Sequence, residues 1–267
     1  MFSCDKEGKP SFDEKPSSSF SGKKIKTHTL YYYEIENRFG ENVNILSSKD
    51  IFKYDSNDNL IESSNYDSDG NLKSKTISKY DSNDNRIETS NYDSDGNLRE
   101  SDYIVSRSIF RYDSNNNCIE FSNYDSDGNL WESEYSPFPS KSIAKYDSNN
   151  NLIEFSNYDP DGNLWKSDLY ESKSIFKYDS NNNVIESSKY DSDGNLNNKF
   201  IYTYDSNDNR IESFKYDSDG NLKSKTITKY DSNNNVIEGL GYECDYKFGS
   251  IQEKLNSKTV NEYEYYA

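Results

Sequence analysis

Histidine is almost missing from this chain: His28 stands alone among 267 residues, alongside one Met, two Trp, three Cys and five Pro. One imidazole, outside the patterned region, leaves no way to build a His-based triad or a His metal cluster. Three Cys cannot all pair, so no disulfide framework is implied. No segment approaches the roughly 20 apolar residues of a membrane-spanning helix. Hydrophobic residues make up 31% of the chain and mean hydropathy is -1.14, close to the range where apolar burial fails to offset chain entropy. Cationic charge is also short: 31 Lys and Arg against 48 Asp and Glu leave a net charge of -17. Phosphate backbones and anionic bilayers are repelled by such a surface, which argues against nucleic-acid and membrane-surface binding. The Gly residues stand singly in turns, so no Gly-rich phosphate loop is present.

What the chain does have is aromatic residues, 25 Tyr and 13 Phe, far too many for a disordered tail. A repeat architecture reconciles the two facts, because each unit buries its surface on its neighbours and no large core is needed. Two signatures alternate. Tyr-Asp-Ser-Asn-(Asp/Asn)-Asn starts at Tyr54, Tyr80, Tyr112, Tyr146, Tyr178, Tyr204 and Tyr230. Tyr-Asp-(Ser/Pro)-Asp-Gly-Asn-Leu starts at Tyr66, Tyr92, Tyr124, Tyr158, Tyr190 and Tyr216. The step from first to second is 12 residues throughout, while the return step is 14 at both ends of the array and 20, 22 and 20 in its middle.

Each signature is a turn between strands. Ser68 and Asp69 suit a type I turn and Gly70 the left-handed position that follows. The first signature puts Asp58, Asn116 or Asn182 at that place, the non-Gly residues that best tolerate it. Segments such as Ile51-Phe52-Lys53-Tyr54 are too short for helices and rich in strand formers. The fold expected is all-β: a repetitive antiparallel hairpin meander forming an elongated twisted sheet, with open, coiled and closed forms all compatible. A three-residue loop sets Tyr66 against Leu72, Tyr54 against Leu60 and Lys53 against Ile61, with Phe52 and Glu62 sharing one face. A loop longer by one sets Lys53 against Glu62 instead. Neither face is cleanly apolar. Residues 1–22 read as a flexible tether, 23–50 as capping strands, 51–238 as the repeats and 239–267 as C-terminal caps. In the last, Lys258-Thr259-Val260 echoes Lys225-Thr226-Ile227.

The turns resemble the YD repeats of bacterial Rhs-type surface proteins, whose pattern is Tyr-Asp, two residues, Gly, a polar residue and Leu. The copies at Gly70, Gly96, Gly128, Gly162, Gly194 and Gly220 match best, and the likeness covers about residues 51–238. It implies a β-rich repeat protein that is secreted or on the cell surface, in a family linked to carbohydrate binding or toxin delivery. Too few repeats for a large cocoon, and no separate C-terminal effector domain, set the chain apart from toxin encapsulation. A weaker likeness to MORN-like hairpin repeats implies a protein-binding scaffold. The start Met-Phe-Ser-Cys-Asp-Lys-Glu resembles the end of a bacterial lipoprotein signal, making Cys4 a candidate for lipidation and for attachment to a bacterial surface.

The three long connections are the places where repeats differ, and they hold both Trp residues. Tyr103, Trp131, Tyr135, Phe138, Trp165 and Tyr170 lie in them, and Phe121 and Phe155 replace a small residue in the neighbouring strands. Aromatic faces beside acids and amides suit sugar rings or a protein hot spot, so a surface polysaccharide or a protein is the expected partner. The competing expectation is that these segments fold back over the sheet. Asp67 and Asp69 reproduce the first half of a calcium loop, but the later bidentate Glu is missing; no other cofactor is implied. Glu62, Glu88, Glu120, Glu154, Glu186, Glu212 and Glu238 recur in every unit, as a structural role requires, and no catalytic site is expected. The expected function is that of a non-enzymatic extracellular binding module or spacer. The alternative is a structural protein that self-associates through its sheet edges.

Overall fold

A computed structural model describes residues 3–4, 10–11, 24–99, 101, 104–132, 138–167, 171–247 and 250–263. Two short strands, β1 (Ser3–Cys4) and β2 (Pro10–Ser11), pair with each other. The rest form one open 16-stranded sheet in strict chain order. Its strands are β3 (Thr27–Arg38), β4 (Glu41–Tyr54), β5 (Leu60–Asp67), β6 (Leu72–Tyr80), β7 (Arg86–Tyr92), β8 (Arg107–Tyr112), β9 (Cys118–Tyr124), β10 (Lys141–Tyr146), β11 (Leu152–Tyr158), β12 (Lys173–Tyr178), β13 (Val184–Tyr190), β14 (Leu196–Tyr204), β15 (Arg210–Asp217), β16 (Leu222–Tyr230), β17 (Val236–Lys247) and β18 (Ser250–Val260). The ladders are antiparallel, as hairpin connections require. The expected hairpin meander is the fold. By compactness the chain divides into two units, residues 1–143 with 159–161, and residues 144–158 with 162–267.

The turns form as their sequences dictate. The amide of Gly70 donates to the Asp67 carbonyl at 3.2 Å, closing a type I turn, and Gly70 takes a φ of +86°. At the sister turns the same place holds Asp58, Asp84, Asn116, Asn150, Asn182, Asp208 and Asn234, with φ between +61° and +66°. The first Asp of each turn holds it shut: Asp67 Oδ1 accepts from the amides of Asp69 and Asn71, and Oδ2 from Asn71 Nδ2.

Both expected registers are present in the same hairpin, joined by a bulge. Tyr54 lies opposite Leu60, then the register slips, so Lys53 lies opposite Glu62 and Ile61 is the extra residue. The bulge also moves Glu62 off the face of Phe52 and onto that of Ile51, Lys53 and Ile77. There it meets Lys53 at 2.8 Å. The pairing recurs as Lys79–Glu88 at 2.9 Å, Lys145–Glu154 at 2.9 Å and Lys177–Glu186 at 2.9 Å. Several Glu are gripped from both sides: Glu154 also meets Lys173 at 3.3 Å and Glu238 meets both Lys229 at 2.5 Å and Lys258 at 2.8 Å. Lysines of the same strands lie over the next Tyr, as Lys49 over Tyr66 at 5.0 Å and Lys75 over Tyr92 at 5.2 Å.

The bulge frees a carbonyl, and the repeat supplies a donor. Tyr80 Oη donates to the Leu60 carbonyl at 3.0 Å, Tyr112 to Arg86, Tyr178 to Leu152 and Tyr204 to Val184. Burial pushes the Tyr112 hydroxyl far above the ordinary tyrosine range, keeping it a donor. Cross-strand polar pairing therefore replaces a conventional core. Among the described residues the buried apolar side chains are Phe110, Phe121, Trp131, Ala144 and Cys244, outnumbered by buried Ser and Asn. Phe110 and Phe121 pack ring to ring at 5.0 Å.

Candidate functional site

The long connections rise from one kind of place in the ladder, the bulge. In the plain hairpin of β5 and β6, Tyr66 lies opposite Leu72, Lys73 is the extra residue, and pairing resumes at Asn65 with Ser74 and Ser64 with Lys75. In the hairpin of β7 and β8, Tyr92 bridges Leu98 and pairing resumes at Ser90 with Arg107. Arg99 thus stands where Lys73 stands, Ser106 where Ser74 stands, and residues 100–105 are an excursion between them. Trp131 and Ser140 bracket 132–139 in the same way, and Trp165 and Ser172 bracket 166–171.

Each neck is held by one Asn and one Ser. The buried Asn123 donates its amide to the Ser140 carbonyl and accepts from the Trp131 amide, both at 2.8 Å. Its Nδ2 donates to the Pro139 carbonyl at 2.8 Å, and its Oδ1 accepts from Ser108 Oγ at 2.8 Å. Asn91 repeats this set with Ser106, Arg99, Val105 and Thr76. Asn157 repeats it with Ser172, Trp165 and Glu171. The Ser hydroxyl then donates across the neck, from Ser106 to Arg99 at 2.5 Å, Ser140 to Trp131 at 2.5 Å and Ser172 to Trp165 at 2.6 Å. A buried Asn whose two backbone and two side-chain groups are all satisfied fixes geometry strongly, because each lost bond strands its partner.

The expected contact residues separate by burial. Trp131 is only 4% exposed, Phe121 is buried, and Phe138, Phe155 and Trp165 are half-buried. The Trp131 ring therefore presents no open face, and its Nε1–H has no partner among the described residues. Tyr103, Tyr135 and Tyr170 lie outside the described residues. Phe121 packs on Phe110 in the sheet itself. The two units hold the excursions separately, those after Leu98 and Leu130 in the first and that after Leu164 in the second. At the third neck, burial raises the Glu171 carboxyl, but its ion pair with Lys189 outweighs burial and leaves it below the ordinary value.

The other candidates are placed as follows. Asp67 spends its carboxylate on its own turn, and the Asn71 amide holds it below the usual Asp range. Asp69 is exposed. Among the described residues no group of three or more His, Cys, Asp and Glu could share a metal ion. Cys118 is half-buried and Cys244 buried, both as free thiols. Cys4 stands in β1, and its side chain lies outside the described set. No described helix is long and apolar enough to cross a membrane.

A second row of side-chain bonds went unnoticed in the sequence. At five first-signature turns the left-handed residue accepts from two Asn of the turn before it. In the first unit Asp84 accepts from Asn57 at 2.8 Å and Asn59 at 2.7 Å, and Asn116 from Asn83 and Asn85. In the second, Asn182 accepts from Asn149 and Asn151, Asp208 from Asn181 and Asn183, and Asn234 from Asn207 and Asn209. The signal available was that this place is never Gly in the first signature and always Gly in the second.

No protein-family model matches the chain, and no curated protein matches its sequence, so the likeness to YD repeats rests on the turn motifs. Among solved structures the chain is similar to TcdB2-TccC3 without its hypervariable C-terminal region, with 16% identity and a TM-score of 0.30. The match covers 80% of this chain and 13% of that one. It is similar to a Photorhabdus luminescens Tc holotoxin pore, with 14% identity and a TM-score of 0.30, over 82% of this chain and 13% of that one. It is also similar to a porin-like protein from Bacteroides uniformis, with 11% identity and a TM-score of 0.35, over 87% and 96% of the two chains. This chain therefore spans a small part of the Tc proteins it matches, and likeness at this level says nothing of function.

Proposed function

We propose that the protein is a non-enzymatic, extracellular or cell-surface binding module, and that it displays its contact surface on the three excursions of the central hairpins. The observation that carries this reading is the construction of the necks. The ladder closes beneath each excursion in the register of a plain hairpin, so the extra residues are not needed to complete the sheet. Eleven hydrogen bonds on three Asn hold the necks nonetheless, which suits a segment presented at a fixed place. Trp165 and Phe138 are the half-buried aromatics best placed to offer a ring to a partner, a sugar face or an apolar protein side chain. The acidic surface turns such a module away from anionic polymers and toward neutral glycans or cationic proteins. Attachment through a lipidated Cys4 fits this location, and mass spectrometry of the native N-terminus tests it.

The experiment is removal of residues 100–105, 132–139 and 166–171 together, leaving each Ser directly after its bulge residue. The shortened chain is expected to keep its β-sheet circular dichroism and to lose binding to a glycan array or to surface extracts. Unchanged binding by the shortened chain would refute the excursions as the contact surface.

A further inference from the structure

Among the described residues, every exposed large apolar side chain lies in β3, β18 or the residues joined to them: Tyr31, Tyr33 and Ile35 at one end, Leu255, Val260 and Tyr263 at the other among them. These are the two strands of the open sheet with a neighbour on one side only. They also keep the register of the internal repeat. Tyr33 lies opposite Leu46 after a slip between Tyr32 and Tyr33, as Tyr66 lies opposite Leu72 after a slip between Asn65 and Tyr66. So β3 is built as an internal strand of the β5 kind. At the other end Glu238 lies opposite Val260 and Leu240 opposite Lys258, as Glu212 lies opposite Ile227 and Phe214 opposite Lys225. So β18 is built as an internal strand of the β16 kind, and Tyr263 donates to the Val236 carbonyl as Tyr230 does to Arg210.

We infer that β18 of one copy pairs antiparallel with β3 of a second copy, continuing the sheet from molecule to molecule. The register follows from β16 and β17, where Lys225 lies opposite Tyr242, Ile227 opposite Leu240 and Lys229 opposite Glu238. Transferred to the junction, Lys258 faces Tyr33 of the second copy, Val260 faces its Tyr31 and Glu262 faces its Thr29. Lys258 already makes its backward ion pair with Glu238 at 2.8 Å. Its forward contact, the one Lys75 makes with Tyr92 at 5.2 Å and Lys199 with Tyr216 at 5.6 Å, is supplied by Tyr33 of the second copy. Val260, 58% exposed, and Tyr31, 56% exposed, cover each other. The one internal ion pair lost at this junction is lost from both sides, since Glu262 stands for Lys229 and Thr29 for Glu238, and no charge is left facing its like. With an even number of strands the alternation of direction carries through, so the contact is head to tail, one edge of the sheet always meeting the other. Charged or bulged edges block such pairing in other sheets, and the middle of β3, Leu30-Tyr31-Tyr32-Tyr33, holds no charge.

This inference is independent of the excursions and is tested on the full chain. Sedimentation velocity over rising concentration is expected to show a growing series of species. Tyr31→Glu sits opposite Lys49 and Val260→Glu opposite Glu238, and each places a carboxylate in every junction, so each variant alone is expected to stay monomeric, with circular dichroism checking that its sheet content is kept. Mixed in equal amounts, the two leave one intact junction, between β3 of the first variant and β18 of the second, and give a dimer and nothing larger. Wild-type chain that stays monomeric, a variant that still polymerises, or a mixture that stays monomeric would each overturn the proposal.

Discussion

Trp131 shows most clearly what a residue's position in a repeat does to its chemistry. It stands where other hairpins carry an extra Lys, yet it is buried, and the neck bonds of Asn123 and Ser140 close around it. Trp131→Ala is expected to cost about 3–5 kcal/mol, the usual penalty for emptying a buried aromatic site, read from chemical denaturation. Trp131→Phe keeps most of the packing and removes an indole N–H that has no described partner, so it should cost much less. The left-handed turn positions make a second pair of opposites. Gly194 has open space around its missing side chain and a φ of +81°, so Gly194→Ala should cost about 1 kcal/mol through backbone strain alone. Asn182→Gly relieves that strain but deletes the acceptor for Asn149 and Asn151, and should also destabilise, by about 0.5–1.5 kcal/mol. If Asn182→Gly proved stabilising, the amide row would have no structural weight.

At the level of the strand, the bulge decides both register and charge pairing. It sets Glu120, Glu154 and Glu238 each between two cations, and Lys229 and Lys258 together hold the Glu238 carboxyl down to about 2. Glu62 is lowered first by Lys53, while in Glu88 and Glu154 burial opposes the shift and the Lys partners outweigh it. The sign is that of depressed carboxylates: their contribution is complete above the unfolded-state values near pH 4 and is lost as pH falls through the folded ones. Thermal melts should therefore vary little between pH 7 and about 5 and fall steeply toward pH 2. A melting temperature unchanged at pH 2 would show that the Lys–Glu rows contribute nothing. Turn type and strand direction were legible in the sequence because Gly70, or Asn and Asp in its place, mark the left-handed position. Register was not, because the extra residues Ile61 and Lys73 carry no Gly or other mark of a bulge. The two pairings that looked exclusive, Tyr54 with Leu60 and Lys53 with Glu62, are neighbours across one slip. Burial of Trp131 was illegible for a related reason: an aromatic in a long connection looks alike whether the segment folds back or stands out.

Over the whole chain, stability resides in contacts between successive strands, and each strand pairs with its neighbours in sequence. Such a molecule should tolerate loss of a whole repeat. Removing residues 179–204 joins Tyr178 to Asp205 and restores an intact turn, with β12 set against β15 in the register it had with β13. The shortened chain is expected to fold with a slightly lower melting temperature and unchanged sheet content. Collapse to an unfolded chain would mean that the strands do not behave as interchangeable units.

The slip after each Gly turn has one more implication, for engineering. Between Lys73 and Ser74, and again between Lys223 and Ser224, the chain already has the geometry from which its natural excursions leave and return. A foreign peptide of six to eight residues spliced there, with Asn and Ser set at the base as at Asn123 and Ser140, would inherit a ready-made socket. The molecule would then serve as a carrier on which guest sequences are exchanged without redesigning what lies underneath.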